Sequence, residues 1–156
     1  MRSHRPRTIS SERKDRLTVK QRSENMRAIK AFGTKPECIV ELWIRKLRFH
    51  HRKHDHKLPG RPDFIFPRRM KIVLVHGDFW HGWRFPAWKE RLPKAYWRAK
   101  IERNRKNDIR NRRNLRRQGW KVLILWEHQI CKAPGAAFEK LRAFLSSKRS
   151  AEGNSK

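Results

Sequence analysis

The sequence predicts an α/β fold: a single domain with a mixed central sheet flanked by helices. Two apolar runs, DFIF (63–66) and KIVLV (71–75), have strand length and are separated by a basic turn that starts at Pro67. A third run, KVLILW (121–126), follows a long basic helical stretch. Helical pattern therefore precedes, interrupts and follows the strands, an order that a sheet covered by helices accommodates. A chain of 156 residues can bury one moderate core.

Residues 1–17 are basic and poor in apolar side chains, so they are expected to form a disordered arm; residues 148–156 are expected to be a flexible tail. The folded domain is expected over 18–147. Thr18 can cap a first helix running to about Ala31. FGT breaks it, and Thr34 with Glu37 fits a capping box, with Pro36 inside the first turn of a second helix ending near Leu47. RFHHR (48–52) is expected to be a strand and HDHKLPGRP (54–62) a loop. KIVLV and KVLILW are apolar enough to be buried on both faces. Three aromatics and two prolines make 82–93 an irregular loop. A helix follows from about Lys94 to Gln118, stopped by Gly119. Its inner stripe, Trp97, Ile101, Asn104, Asp108 and Leu115, includes two polar residues, which ask for polar partners. Pro134 to Ser147 reads as a short amphipathic helix using Phe138, Leu141 and Phe144 or Leu145.

Charge narrows the function classes. Forty-two Lys and Arg against 14 Asp and Glu give a net charge of +28, a field that attracts polyanions. A nucleic-acid packing protein would share this charge but would have little use for seven tryptophans. The apolar runs fall far short of a bilayer span, and no secretory pattern is present, so no membrane partner is expected. Cys38 and Cys131 lack CxxC spacing and indicate neither a disulfide framework nor a cysteine zinc site. A cytoplasmic, nucleoid-associated protein is the expectation.

The chemistry concentrates in 58–82, LPGRPDFIFPRRMKIVLVHGDFWHG. Asp63 begins one strand, while His76, Asp78 and His81 lie at the end of the next. Adjacent strands thus bring a carboxylate and imidazoles to one edge, which can hold a divalent cation and activate a water. His76 and His81 suit a general base and a stabiliser of a scissile phosphate. Gly77 would permit close backbone approach. Each of these residues also has an ordinary reading. Pro-Asp dipeptides are common in turns, Glu37 completes a cap, and Asp108 could simply offset its arginine neighbours. Phe79 and Trp80 could be core, although adjacent strand residues point to opposite faces; beside a nuclease site they could wedge between base pairs. His50, His51, His54 and His56 read as solvated or phosphate-facing, since no ligand set there matches zinc spacing.

These residues fall into an order that resembles the very-short-patch-repair (Vsr) DNA mismatch endonucleases, a branch of the PD-(D/E)xK nuclease superfamily. The resemblance covers about Ser23 to Glu127. It is carried by NMRAI (25–29), TKPE (34–37), LPGRPDF (58–64), the HGxFWHG frame (76–82), YWxxKIxRN (96–104), Asp108 and GWKVLILWE (119–127). It implies a restriction-endonuclease-like fold and Mg²⁺-dependent incision of one strand beside a T·G mismatch in double-stranded DNA; a monomer is expected. It also implies roles. Asp63 and the Val75 carbonyl would bind the metal, and Glu37 would hold metal-bound water. His76 and His81 would be catalytic, with Asp108 linked to the second. Phe79, Trp80 and Trp97 would intercalate, with Met26 wedging from the other groove.

The chain departs from the family at the structural zinc. Asp78 stands where members place Cys, Trp83 and Phe85 replace the next two ligands, and His128 occupies the last position. Two potential ligands remain of four, so no structural zinc is expected, and Trp83, Phe85 and Trp88 are expected to pack hydrophobically. Two other readings stay open at this point: a related homing or restriction-type nuclease on paired DNA, and a non-catalytic nucleic-acid-binding protein.

Overall fold

A computed structural model of the chain describes residues 33–92 and 95–147. The helix expected at Thr18 to Ala31, its Met26, the arm and the tail lie outside the described residues. Three strands, β1 (Phe64–Phe66), β2 (Lys71–His76) and β3 (Lys121–Trp126), form a sheet in that order. β1 runs antiparallel to β2, with Phe64 opposite Val73. β3 runs parallel to β2, with His76 beside Trp126. The sheet is therefore mixed, as the sequence predicts.

The period of two along each strand sorts its side chains between two layers. Phe64, Phe66, Val73, Val75 and Leu125 face one way. They bury Val40 and Ile44 of α1 (Lys35–Lys46), and Leu141 and Leu145 from the C-terminal helix described below. Ile65 and Ile72 face the other way and pack on Leu115, with Leu74 and Val122 beside them. This second layer is the long helix α3 (Ala95–Arg117), which spans the crossover between the parallel strands. Of its 23 residues only Ile101 and Leu115 are buried, so its inner stripe is as thin as its sequence implies.

Several elements differ from expectation. RFHHR forms no strand: Arg48 takes a left-handed conformation (φ 56°) where α1 ends, and only Arg52 bridges to Ile65, antiparallel. Residues 82–93 are not all irregular, since Phe85–Trp88 makes a short helix, α2, followed by a 3₁₀ turn at Lys89–Arg91. KVLILW is a strand but not a fully buried one: Leu125 alone is buried, because β3 lies at an edge of the described sheet. A short helix, α4 (Glu127–Lys132), extends directly from β3, where the sequence marks only a strand end. The last helix, α5 (Pro134–Ser146), buries Ala137, Leu141 and Leu145.

Lys71 is a second surprise, fully buried at the start of β2. Its ammonium donates to the carbonyls of Phe144 and Leu145 and to the hydroxyl and carbonyl of Ser147. It closes the C-terminal end of α5, where free carbonyls and the helix dipole favour a cation. Burial lowers the Lys71 pKa, with Arg69 and Lys121 adding to the effect. Lys71→Ala would strand these carbonyls. It is expected to cost about 2–3 kcal/mol in urea unfolding, in the range of a hydrogen bond to a charged group.

Candidate active site

The strand register explains why Asp63 and His76 meet. Asp63 has the same parity as Ile65, and His76 the same parity as Ile72 and Leu74, so both side chains belong to the α3 face. Antiparallel pairing then sets the start of β1 beside the end of β2. Asp63 Oδ2 accepts the Val75 N–H at 2.8 Å, which fixes the carboxylate against the Val75 backbone. Beyond His76 the chain leaves the sheet in a turn, with the His81 N–H donating to the Gly77 carbonyl. That turn folds His81 back so that its ring stacks on His76 at 3.8 Å and 11°.

α3 supplies the polar partners that its inner stripe requires. Asp108 Oδ2 lies 2.7 Å from His81 Nδ1, and Asn104 Nδ2 donates to the Trp80 carbonyl at 3.1 Å. Two glycines allow α3 to approach. A Cβ at Gly60 would come within 2.8 Å of Asn111 Nδ2, and one at Gly82 within 2.7 Å of Arg105 Cδ; both have positive φ. Gly77 is not such a position, since a Cβ there would meet Glu127 at an ordinary 3.7 Å.

Glu37 joins from α1. Its carboxylate accepts the Gly33 N–H, the Thr34 N–H and the Thr34 hydroxyl, so it does serve as a helix cap. It also lines, with Asp63, Val75, His76, His81 and Asp108, a single cavity of about 630 Å³. The ordinary and the functional placements of Glu37 coexist. His54, read from sequence as a solvated histidine, is half-buried with its Nε2 3.9 Å from Glu37 Oε2. His51 is likewise packed, edge-on to Phe64. His50 and His56 are exposed. Sequence offers no periodic signal for His54, because a left-handed backbone (φ 51°) turns it inward.

Burial shapes the electrostatics. It pushes the Asp63 carboxyl up to about 6, with the Glu37 charge adding and the Val75 N–H opposing. It holds His76 down to about 3, helped by His81, so His76 is neutral at neutral pH. Burial likewise lowers His54. His76, His81 and Asp108 also bring one potential ligand atom each within 4.8 Å of one another. The His81–Asp108 bond already uses two of these groups on each other, the arrangement of a carboxylate that orients an imidazole.

Phe79 and Trp80, which also line this cavity, pack edge to face at 4.9 Å, and Trp97 from α3 lies 5.7 Å from Trp80. Trp88, which also packs with Trp83 and Phe85, stacks on Phe79 at 5.7 Å. Phe79 is 42% exposed despite this company. Lys100 holds its ammonium 5.2 Å over Trp80. An acidic and imidazole-bearing cavity, rimmed by large rings and set in a basic surface, is equipped to cut a nucleic-acid backbone.

Comparison with known proteins agrees. The family model for the DNA mismatch endonuclease Vsr matches residues 14–86. The type II nicking enzyme V.XorIIP of Xanthomonas oryzae pv. oryzae is 36% identical over 134 residues, covering 84% of this chain and 96% of that protein. The chain belongs to the Vsr family. V.NmeDIP of Neisseria meningitidis serogroup C, another type II nicking enzyme, is 35% identical over 140 residues, 86% of this chain and 93% of that protein. The DNA mismatch endonuclease Vsr of Escherichia coli is 36% identical over 107 residues, 68% of this chain and 69% of that protein. Like its Vsr relatives, the chain is a DNA endonuclease. Among the described residues no helix is long and apolar enough to cross a membrane.

The four positions compared above with zinc ligands, Asp78, Trp83, Phe85 and His128, lie together in this Vsr chain. Asp78 Oδ1 lies 2.7 Å from His128 Nδ1, and the Asp78 N–H donates to Glu127. Trp83 packs on both His128 and Trp126, at 4.5 and 4.9 Å. Trp88 donates to the Trp83 carbonyl, and Phe85 is buried against Trp88. Together they tie the aromatic turn to α4. Elemental analysis of the purified protein is expected to find no stoichiometric zinc, and prolonged chelation to leave its melting temperature unchanged. One retained equivalent would make Asp78 and His128 the first ligands to test.

A second prediction concerns pH. The folded Asp63 pKa, about 6, lies above its ordinary 3.8, so its ionisation opposes folding. Stability is full below about 4, falls as pH rises to 6, and then stays reduced. Asp63→Asn is expected to raise the melting temperature by several degrees at pH 8 in metal-free buffer, and by little at pH 4.

Proposed function

We propose that this endonuclease nicks one strand of duplex DNA beside a T·G mismatch, in a Mg²⁺-dependent reaction. The observation that carries the proposal is the His81–Asp108 pair sharing one cavity with Asp63, Phe79 and Trp80, with Trp97 packed on Trp80. The donor set suits a hard cation: Asp63, Glu37 and the Val75 carbonyl offer oxygen only, which is what Mg²⁺ prefers. Asp63 and Val75 would hold the ion directly, and Glu37 would hold its water. When bound, the ion supplies Lewis-acid polarisation of the scissile phosphate. The raised Asp63 pKa supports this placement, because a buried carboxyl near Glu37 is relieved by a neighbouring cation.

The protein's own groups do the rest. Asp108 accepts from His81 Nδ1, which selects the tautomer with an unprotonated Nε2. That nitrogen takes the proton of the attacking water. His76, held neutral by burial, packs against the His81 ring and can hydrogen-bond a phosphate oxygen without like-charge repulsion between the two imidazoles. His81→Ala is expected to slow incision by roughly two to four orders of magnitude. Asp108→Asn should slow it less, through loss of orientation alone. Both are read as single-turnover rates at saturating enzyme.

Mismatch selection follows from stacking. Inserting aromatic rings requires unstacking a base step, at a few kcal/mol. A T·G wobble is already weakened, so the cost is smaller there. Met26, outside the described residues, would wedge from the other groove. The test is incision of one labelled duplex as a T·G or a fully paired substrate, with and without Mg²⁺, for wild type and Trp80→Ala. The proposal requires a high T·G preference that falls in the variant. A wild-type ratio near one would favour a nuclease of paired DNA.

A further inference from the structure

A second cavity, of about 230 Å³, shares His76, His81 and Asp108 with the first. Its other walls include Arg84, Arg105 and Arg112. Helix geometry explains how the two spaces divide. At about 100° per residue, Lys100, Asn104, Asn111 and Leu115 form one stripe of α3, and these line the first cavity. Arg105, Ile109 and Arg112 form the next stripe, and these line the second. Asp108 lies on the border. The sheet divides the same way: Asp63 precedes β1 on one side, whereas Ile124 and Trp126 of β3 lie on the other. The histidine pair stands between.

The three arginines are positioned rather than loose. Arg105 lies with its guanidinium 5.5 Å from the centre of the Phe85 ring, and Arg84 lies 5.8 Å from that of Trp83. Arg112 directs Nε to the Asp108 carbonyl, leaving its two terminal amino groups for another acceptor. Among the described residues none of the three forms an ion pair with a carboxylate. Among the described residues Asp108 is the single carboxylate lining this space, and it is engaged by His81. Three guanidinium groups that pair with no carboxylate among the described residues, beside two imidazoles, make a site for a tetrahedral oxyanion.

We propose that this second cavity is a phosphate subsite that takes a backbone phosphate of the incised strand next to the one that is cut. The inference rests on the reading of His81 and Asp63 as the incision centre. It adds Arg84, Arg105 and Arg112 as the groups that hold the strand in register across the histidine pair. The space accommodates a phosphate and part of its sugar, not a duplex. A strand entering the first cavity continues past the histidines, and its next phosphate meets the arginines. The same chemistry would accept free inorganic phosphate, so the test separates the two sources.

Affinity for a T·G duplex is measured by anisotropy without divalent metal over a range of salt, for wild type, Arg84→Gln, Arg105→Gln and Arg112→Gln. Loss of one phosphate contact is expected to reduce the slope of log affinity against log salt by about one. Arg142→Gln, whose side chain pairs with Glu139 on α5, is the control and should leave the slope unchanged. Duplexes carrying one neutral methylphosphonate, placed in turn on each side of the cut, then locate the contact. Wild type should lose about tenfold in affinity at one position, and the arginine variants should lose little more there. Unchanged slopes in all three variants, or methylphosphonate effects equal in wild type and variants, would overturn the proposal. Inhibition by inorganic phosphate without any such position effect would also overturn it, assigning the cavity to a free anion. Because binding needs no incision, these results stand apart from the outcome of the cleavage assay.

Discussion

Phe64 pairs with Val73 across β1 and β2, and the site is built on that register. A shift of one residue would turn Asp63 and Ile65 to the α1 face and send Phe64 and Phe66 under α3. Large side chains therefore lock the alignment from the core side. The Val75 N–H locks it from the site side, through its bond to Asp63. With the register fixed, β2 ends where Asp63 begins, and the turn after His76 returns His81 onto its neighbour. Only then does Asp108 on α3 find an imidazole within 2.7 Å.

The same architecture separates two electrostatic tasks. The exterior carries the charge that draws in a polyanion, much of it on an α3 that buries just two residues. The interior of the cavity holds groups that burial drives toward neutrality, with Asp63 raised and His76 lowered. Burial opposes charge on both, so the site costs the fold stability in return for groups that respond strongly to a bound cation or phosphate. Lys71 carries a burial cost of the same kind elsewhere, lessened by its bonds to the carbonyl end of α5.

Much of this was legible in the residues. Apolar runs of strand length, a capping box at Thr34 and a polar interruption of the α3 stripe are local signals, and local signals survive into the structure. The demand of Asn104 and Asp108 for polar partners was readable too, and Trp80 and His81 meet it. Long-range arrangement was not. His54 reaches Glu37 only because a left-handed residue redirects the loop, and Lys71 reads as the end of a basic turn until α5 is placed against it. The second cavity was equally invisible: Arg84 falls in a stretch that reads as a loop, and Arg105 and Arg112 look like solvated charge on a basic helix. Their convergence depends on Gly82 letting α3 approach the aromatic turn. KVLILW shows the limit of composition, since an apolar run marks a strand without saying whether both its faces are covered.

The central claim is that Asp108 orients His81 within a cavity shared with Asp63. The most direct measurement is the imidazole tautomer of His81 by nitrogen NMR at neutral pH, in wild type and Asp108→Asn. The account predicts a proton on Nδ1, shifted downfield by its bond to Asp108, with Nε2 unprotonated, and loss of that shift in the variant. A proton on Nε2 in the wild type, or a spectrum indifferent to Asp108→Asn, would contradict it.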